Sequence, residues 1–289
     1  MLFDILYTKI AGEEALIVGF IGTGTITSCV ISGLLGTESP VNSIVVSPRN
    51  ADRAAYLAKK FPKVSVAANN QSVINQSDIL CIAVRPQVAE ELLSELEFKE
   101  NSTVVSFLST YSLIDIRARV APANRVFRML PLPPVERGEG PVVIYPPALE
   151  LQAVFKGIGE LVQVESEDSL NKLLAVTAIM APYFGFLNSV SQWLKDHDLP
   201  AQQADTFTGT LFHALSVTAL SVEGKGFSDL TVEHATPGGL NEQLLRELAG
   251  NNWLNLPTSG LDLILNRLQG RATLNDKLPQ HLNGENNVT

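Results

Sequence analysis

The first half of the chain repeats one arrangement: a short, unbroken run of aliphatic and β-branched residues, followed by a stretch with helical spacing. The runs are ALIVGFIG, SIVVSP, VSVAA, DILCIAV, STVVSFLS, NRVFRML and GPVVIYPP, starting at positions 15, 43, 64, 78, 102, 124 and 140. Helical patterns separate them at 25–35, 50–61, 87–96 and 112–120, and 69–77 reads as a short helix or loop. Runs without polar alternation are buried on both faces, which is the condition of strands in a parallel sheet covered by helices. The repeated strand–helix–strand unit therefore predicts a doubly wound α/β fold with right-handed crossovers. Past Pro147 the pattern changes. ALELQAVFKGIGELVQVESE holds one more helix and one more strand, and beyond Ser169 only helical spacing is found, at 169–195, 200–224, 239–249 and 258–269.

Composition narrows the class. Of 289 residues, 45% are hydrophobic and 18% charged, with a formal charge of −9. An acidic chain of this kind does not suit phosphate-backbone binding, which needs clustered Lys and Arg, so no nucleic-acid partner is expected. Cys29 and Cys81 both lie in apolar runs, which reads as buried thiols in a reducing, cytoplasmic compartment. Their spacing suits no zinc site, and His197, His213, His234 and His281 form no ligand pair at helical spacing, so no metal is expected. The N-terminal stretch carries Asp4 and no basic lead, a poor match to a signal peptide. Residues 173–190 are the most apolar long stretch but are interrupted by Pro182, Gly185 and Asn188, which favours a core helix over a membrane span. Such a helix is apolar all round, and one small helical domain can hardly cover it. A second copy of the chain could, so a homodimer through the C-terminal half is predicted, with larger assemblies left open.

The turn after the first run carries the first sign of chemistry. VGFIGTGTITSCVISGLLG occupies 18–36. Gly22 permits a sharp strand-to-helix turn. Gly24 removes a side chain so that a pyrophosphate can approach the backbone, and the helix start at Thr25 and Ile26 then offers unpaired N–H groups to it. Thr23 lies between the glycines, and Thr27 takes the third small position of the Gly-x-Gly-x-x-Gly pattern. Its place after the first strand of a βαβ series is the context that pattern requires; the alternative is a tight turn with no ligand. At the end of the second run, where an NAD site usually has an acid, the chain has Ser47, Arg49 and Asn50. Arg49 could pair with a 2′-phosphate and Ser47 and Asn50 could hydrogen-bond to it, which favours NADP(H), with NAD as the other candidate. The fourth run ends in Val84, Arg85 and Pro86, which would lie near the nicotinamide half of the cofactor or else simply close a strand. Further on, Thr236-Pro237-Gly238-Gly239 forms a turn feeding a helix near Leu240. Backbone N–H groups at such a start can hold an anion, or the four residues can merely separate two helices.

Taken together, GFIGTGTITSCVISGLL, AVRPQ, RMLPLPP and LTVEHATPGGLNEQLL resemble the corresponding segments of the pyrroline-5-carboxylate reductases, over about 17–268 of this chain. The resemblance implies an NAD(P)H enzyme reducing a cyclic imine carboxylate to proline, or a related imine or carbonyl substrate. It implies an N-terminal Rossmann domain and an all-helical dimerisation domain. The expected division is an N-terminal extension at 1–15, a Rossmann-type NADP-binding domain at 16–165, a helical dimerisation and substrate domain at 166–272, and a disordered polar tail at 273–289. By the same resemblance, Pro237, Gly238 and Gly239 bind the substrate carboxylate, and Thr236 and Asn241 are the first candidates for catalytic contacts to the carboxylate or nitrogen. Tyr183 and His213 are further candidates for a proton donor. The chain departs from the family at Leu132 and Pro133, where Asn and Thr are usual, at Asn241 in place of Thr, at Ile179 and Met180 in place of small polar residues, and at Arg85 in place of Lys. These changes leave the cofactor elements in place and make the substrate pocket more apolar. No acid–base dyad is found, and none is compulsory for a protonated imine, since the cofactor carries the hydride. Two other readings stand beside this one: a non-catalytic NADP-binding sensor, and a 3-hydroxyacid dehydrogenase in which Lys172 would be catalytic.

Overall fold

The computed structural model describes residues 6, 8–11, 14–221 and 224–277. The chain divides into two compact units, Met1–Leu174 and Ala175–Thr289. Most of the tail expected to be disordered, from 278 on, lies outside the described residues, as does His281.

The first unit is built on an eight-stranded sheet: β1 (Leu16–Ile21), β2 (Val41–Val46), β3 (Val64–Val66), β4 (Ile79–Ile82), β5 (Thr103–Ser106), β6 (Arg125–Leu130), β7 (Pro141–Tyr145) and β8 (Glu160–Gln163), in the order β3-β2-β1-β4-β5-β6-β7-β8. The crossover helices are α1 (Thr25–Gly36), α2 (Ala51–Lys60), α3 (Asn70–Gln76), α4 (Pro86–Ser94) and α5 (Leu113–Arg119), and α6 (Leu149–Phe155) joins β7 to β8. The doubly wound α/β fold read from the sequence is thus present. Buried side chains fill both sheet faces, with Val18, Phe20 and Ile44 in one core cluster and Ile21, Leu80 and Ile82 in the other. This burial on two sides is why the strands carry no polar alternation.

One strand departs from the parallel expectation. β7 runs antiparallel to β6, while the other neighbouring pairs are parallel. Residues 131–140 between them hold only a 3-10 turn, Pro133–Arg137. That is too short for a parallel crossover, which needs a dozen residues or more. The turn packs instead on α1: a Cβ at Gly33 would lie 2.2 Å from the Val135 carbonyl oxygen, so the approach requires a bare residue there.

A buried ion pair closes the far side of this unit. Arg128 on β6 is 2% exposed. Its Nη1 donates to Glu167 Oε1 at 2.7 Å and its Nη2 to the Ser109 carbonyl at 2.9 Å. The same Glu167 oxygen accepts the Leu113 N–H at the start of α5, at 2.6 Å. Burial pulls the Arg128 guanidinium below its usual range, and Glu167 opposes that. Glu167 opens α7 (Glu167–Thr177), whose Leu170 is buried with Leu130 and Val143. The first turns of α7 therefore pack on the sheet, and the division between the units falls after Leu174, beyond the domain boundary expected at 165/166.

The second unit is helical: α8 (Met180–Asp196), α9 (Ala201–Ser221), α10 (Phe227–His234), α11 (Leu240–Gly250) and α12 (Asn255–Leu268). The single helix expected over 169–195 is two helices, because Ala178 and Ile179 form a turn between α7 and α8. α10 is an element the sequence reading missed. α8 and α9 are tied by Asp205, which accepts from Lys195 Nζ at 2.7 Å and Ser191 Oγ at 2.5 Å. Phe212 meets Tyr183 and Phe186 edge to face, and Phe186 also meets Trp253 at a centroid distance of 5.6 Å.

Candidate nucleotide site and the Thr-Pro-Gly-Gly turn

The carboxyl ends of β1, β2 and β4 open on a cleft of about 560 Å³, lined by Gly22, Gly24, Arg49, Asn50, Val84 and Arg85, among others. β1 has β2 on one side and β4 on the other, so the cleft lies where the strand order reverses. That is the position at which open α/β sheets bind ligands.

The two glycines of the turn serve different ends. Gly22 has φ +99°, and a Cβ there would lie 2.5 Å from the Ala83 carbonyl oxygen. Its bareness is demanded by the fold. Gly24 would place a Cβ within 4 Å of nothing at all. Its bareness leaves open space directly before α1, whose first turn has no side-chain cap and no acid. An uncapped helix start has unpaired N–H groups and a partial positive charge, which suits a phosphate. Thr25 is exposed and Ile26 half-buried at this start. The third position, Thr27, is buried and donates its hydroxyl to the Gly22 carbonyl at 2.6 Å, holding the turn from below.

Ser47 and Thr23 are placed differently from the expectation. Ser47 is 1% exposed. Its Oγ accepts the Gly22 N–H at 2.9 Å, and its carbonyl accepts the Thr23 hydroxyl at 2.7 Å. Both side chains clamp the glycine turn to the end of β2, and Thr23 lies in the lining of the cleft. The Ser47 hydroxyl, expected from its place at the end of the second run to hydrogen-bond a 2′-phosphate, accepts from the neighbouring backbone. Asn50 caps α2, accepting the Arg53 N–H at 3.3 Å. Arg49 is exposed at the cleft with no ion-pair partner among the described residues.

Arg53 was missed. Its Nη1 donates to Thr25 Oγ1 at 2.8 Å, bridging α2 to the first residue of α1. It lines an adjoining pocket of about 500 Å³ with Tyr56, Cys29 and Glu136. The signal was available: Asn50 as a helix cap puts position 53 one turn on, beside the cap. Burial and the nearby Glu136 carboxylate raise the Cys29 thiol above its ordinary range, and burial raises Cys81 further, so both thiols are held protonated. On the other wall, Arg85 is the N-cap of α4 with no side-chain cap bond, and Pro86 takes the first helical position. A second uncapped helix start thus opens toward the same cleft. Leu132 and Pro133 form the entry to the 3-10 turn. Among the described residues no group of three His, Cys, Asp or Glu could hold a metal.

In the helical unit, Thr236-Pro237-Gly238-Gly239 forms the expected turn into α11. Gly238 has φ +74°, and the Gly239 N–H donates to the Thr236 carbonyl at 2.8 Å. Asn241 Nδ2 donates to the His234 carbonyl at 3.2 Å, back toward the end of α10. The Gly238 N–H, one of the donors expected to receive an anion, donates at 2.6 Å to Glu242 Oε2 from the first turn of α11. Glu242 was not singled out from the sequence. Lys172 forms an exposed ion pair with Asp168 at 2.7 Å, one turn away on α7.

The fold and the glycine turn define a class, the α/β proteins with a dinucleotide-type cleft, and a family model described as NADP oxidoreductase coenzyme F420-dependent matches residues 17–110. In sequence the chain is similar to pyrroline-5-carboxylate reductases. It is 32% identical to that enzyme of Synechocystis over 171 residues, 56% of this chain and 61% of the relative, so the match spans about three-fifths of the relative's length. In fold it is similar to the 1-pyrroline-5-carboxylate reductase of Streptococcus pyogenes, with a TM-score of 0.77 at 19% identity over 89% of this chain and 99% of that one. The Plasmodium falciparum pyrroline carboxylate reductase with NADP bound gives a TM-score of 0.74 at 15% identity, over 89% and 98%.

Proposed function

We propose that the chain is an NADPH-dependent oxidoreductase that reduces the C=N bond of a small cyclic imine of the pyrroline-5-carboxylate type. The observation that carries the reading is the open space at Gly24 before an uncapped helix start, inside a cleft at the sheet's order reversal. Further support comes from the relatives named above, one of which has NADP bound. NADPH, when bound, supplies the hydride. The chain's own residues bind and orient. In this reading Gly22, Gly24 and the N–H groups of Thr25 and Ile26 receive the pyrophosphate, with Thr23 and Ser47 fixing the turn. Arg49 and Asn50 face the 2′-phosphate, and Arg53 adds a second positive charge beside the same helix start. Val84, Arg85 and Pro86 bound the nicotinamide half. A protonated imine is already an electrophile, so holding it about 3–3.5 Å from the hydride donor does most of the work and no strong side-chain acid is needed. Thr236, Pro237, Gly238, Gly239 and Asn241 form the substrate end. Lys172, taken up by Asp168 on an exposed face, speaks against the dehydrogenase reading.

The assembly we propose is a homodimer through the helical unit, in the cytoplasm. Its support is the near-total lack of buried residues there: among the described residues after Leu174, only Ala175, Ser191, Ala204 and Thr208 are buried. An 18-residue window within Glu167–Asp196 has a mean hydropathy of 1.6, long and apolar enough to cross a membrane. The turn at Ala178 and Ile179 and the interruptions at Pro182 and Gly185 favour a second copy of the chain over lipid as the cover for that face.

The test is NADPH titration followed by turnover on a panel of cyclic imines. NADPH oxidation on at least one imine is expected. Gly24→Val should cut NADPH affinity at least tenfold with an unchanged circular dichroism spectrum, because the new side chain meets only open cleft. Unchanged affinity would remove the cofactor from this turn. Tight NADPH binding with no turnover on any imine or ketone would establish the sensor reading instead.

A further inference from the structure

The carboxyl end of β5 lies beside the cleft, and the loop it enters, 107–112, is held almost residue by residue. β5 neighbours β4, and the chain continues from β4 into Ala83, Val84 and Arg85 of the cleft lining. The Phe107 N–H donates to the Ile82 carbonyl at 2.9 Å, so the loop leaves the sheet next to that wall. The Leu108 N–H donates to Ser106 Oγ at 3.2 Å. The Ser109 carbonyl accepts from Arg128 Nη2 at 2.9 Å. Tyr111 Oη donates to the carbonyl of Pro86, in the first turn of α4, at 3.3 Å, and the Arg119 guanidinium lies over the Tyr111 ring at 5.0 Å. Ser112 forms a capping box with Asp115, and the Leu113 N–H donates to Glu167. Two side chains stand outside these ties. The hydroxyls of half-buried Ser109 and exposed Thr110 make no hydrogen bond among the described residues.

Stability alone does not account for this arrangement. Arg128 is buried with its Nε unpaired. Replacing a buried ion pair by well-packed apolar residues is often neutral or stabilising. What the guanidinium does that an apolar side chain could not is fix the Ser109 carbonyl. Groups that meet a ligand are commonly carried on loops of a rigid scaffold, and they need supporting contacts that hold their geometry. From this we infer that Ser109 and Thr110 bind the carboxamide of the nicotinamide ring, with Arg128 and Tyr111 as positioning residues behind them. A hydroxyl suits that group, since it can donate to the carboxamide oxygen and accept from the amino group. The inference rests on the NADPH reading above and deepens it. It assigns the nicotinamide half to the β5–α5 loop as well as to Val84, Arg85 and Pro86, and Tyr111 joins the two walls.

The experiment reads dissociation constants rather than turnover. NADPH and 2′-phospho-ADP-ribose, which keeps the nucleotide half and lacks the nicotinamide, are titrated by calorimetry into the full-length chain, a variant carrying both Ser109→Ala and Thr110→Val, and Tyr111→Phe. All three proteins should bind 2′-phospho-ADP-ribose within twofold of one another. The double variant should bind NADPH at least threefold more weakly than the unaltered chain. A smaller loss, or an equal loss for both ligands, overturns the inference. Tyr111→Phe keeps the ring against Arg119 and removes only the hydroxyl, so NADPH binding should weaken less than in the double variant while 2′-phospho-ADP-ribose binding stays the same. Unchanged NADPH affinity there overturns the positioning role of Tyr111. A third ligand tests the carboxamide itself: the NADPH analogue with 3-acetylpyridine in place of nicotinamide, which keeps the carbonyl and lacks the amino group. The unaltered chain should prefer NADPH to it at least threefold, and the double variant should lose that preference; a preference retained in full overturns the assignment. If the unaltered chain binds 2′-phospho-ADP-ribose and NADPH equally well, this inference alone fails. If it binds neither, the NADPH reading fails and takes the inference with it.

Discussion

The two units of this chain satisfy their apolar residues in opposite ways. In the sheet unit, Val18, Phe20, Ile21, Ile44 and Ile79 are fully buried within one chain, and helices cover both faces. In the helical unit the large apolar side chains face outward: Phe184 is 66% exposed, Trp193 58% and Phe207 58%. Phe207, Leu211 and Leu215 follow one another at i, i+4 and i+8 along α9, so they form a continuous stripe on one helix face. Burying each such side chain is worth roughly 1.5–3 kcal/mol, which a single chain forgoes here. The difference teaches that the same apolar content is placed in two ways: in a closed core in one unit, and on exposed helix faces in the other.

The largest expected effect tests that surface directly. Leu211→Arg places a charge in the middle of the α9 stripe. Sedimentation of the unaltered chain at micromolar concentration should give a dimer, and the variant should dissociate with at least a hundredfold weaker association. A folded monomer in both cases would break the comparison, because the stripe would then be tolerated in water.

The next effect probes whether the sheet unit stands on its own contacts. Glu167→Ala removes the partner of Arg128 and leaves a guanidinium with 2% exposure, whose Nε already lacks a hydrogen-bond partner, without its carboxylate. Breaking a buried pair by deleting one member costs about 3–5 kcal/mol. Because Glu167 is itself partly exposed, the low end, near 3 kcal/mol, is expected. Hydrogen exchange of the β5 and β6 amides would report it, with protection falling in the sheet and staying unchanged in α9. Equal loss in both units would show that they share one stability.

What the sequence disclosed follows the same line. The strands of the sheet unit were legible because burial on two faces writes unbroken Val/Ile/Leu runs. The direction of β7 was not, since a run buried on both faces looks the same whichever way it points; only the ten residues at 131–140 limit the choice, and their 3-10 turn carries no helical spacing. In the helical unit, the broken helix at Ala178 and Ile179 and the short α10 were hidden for a related reason. Helices that keep apolar side chains exposed as well as packed are apolar on several faces and give no clean period. At the cleft, Gly22 and Gly24 could be placed from the motif, and Arg49 and Arg85 from the ends of the second and fourth runs. Ser47 could not, because a hydroxyl can serve a ligand or its own backbone equally well, and the choice depends on where the Gly22 N–H points. Glu242 escaped because a glutamate in a first helical turn is ordinary capping chemistry.

The smallest expected effect sharpens the comparison inside the sheet unit, between residues two positions apart. Gly22→Ala must hold a Cβ at φ +99° and within 2.5 Å of the Ala83 carbonyl oxygen, so β1, β4 or the turn must shift. A non-glycine residue in such a sparsely populated conformation costs about 1–3 kcal/mol. Gly24→Ala has φ −94°, which any residue adopts, and its Cβ meets nothing within 4 Å. Replacing glycine where the new residue fits without strain is neutral or stabilises by about 0.4–1 kcal/mol, through the unfolded chain. Urea unfolding of both variants should therefore move in opposite directions, Gly22→Ala toward a lower midpoint and Gly24→Ala toward an unchanged or slightly higher one. Destabilisation by both to the same degree would mean that Gly24 also is held by the fold, and the open space before α1 would lose its claim as room kept for a ligand.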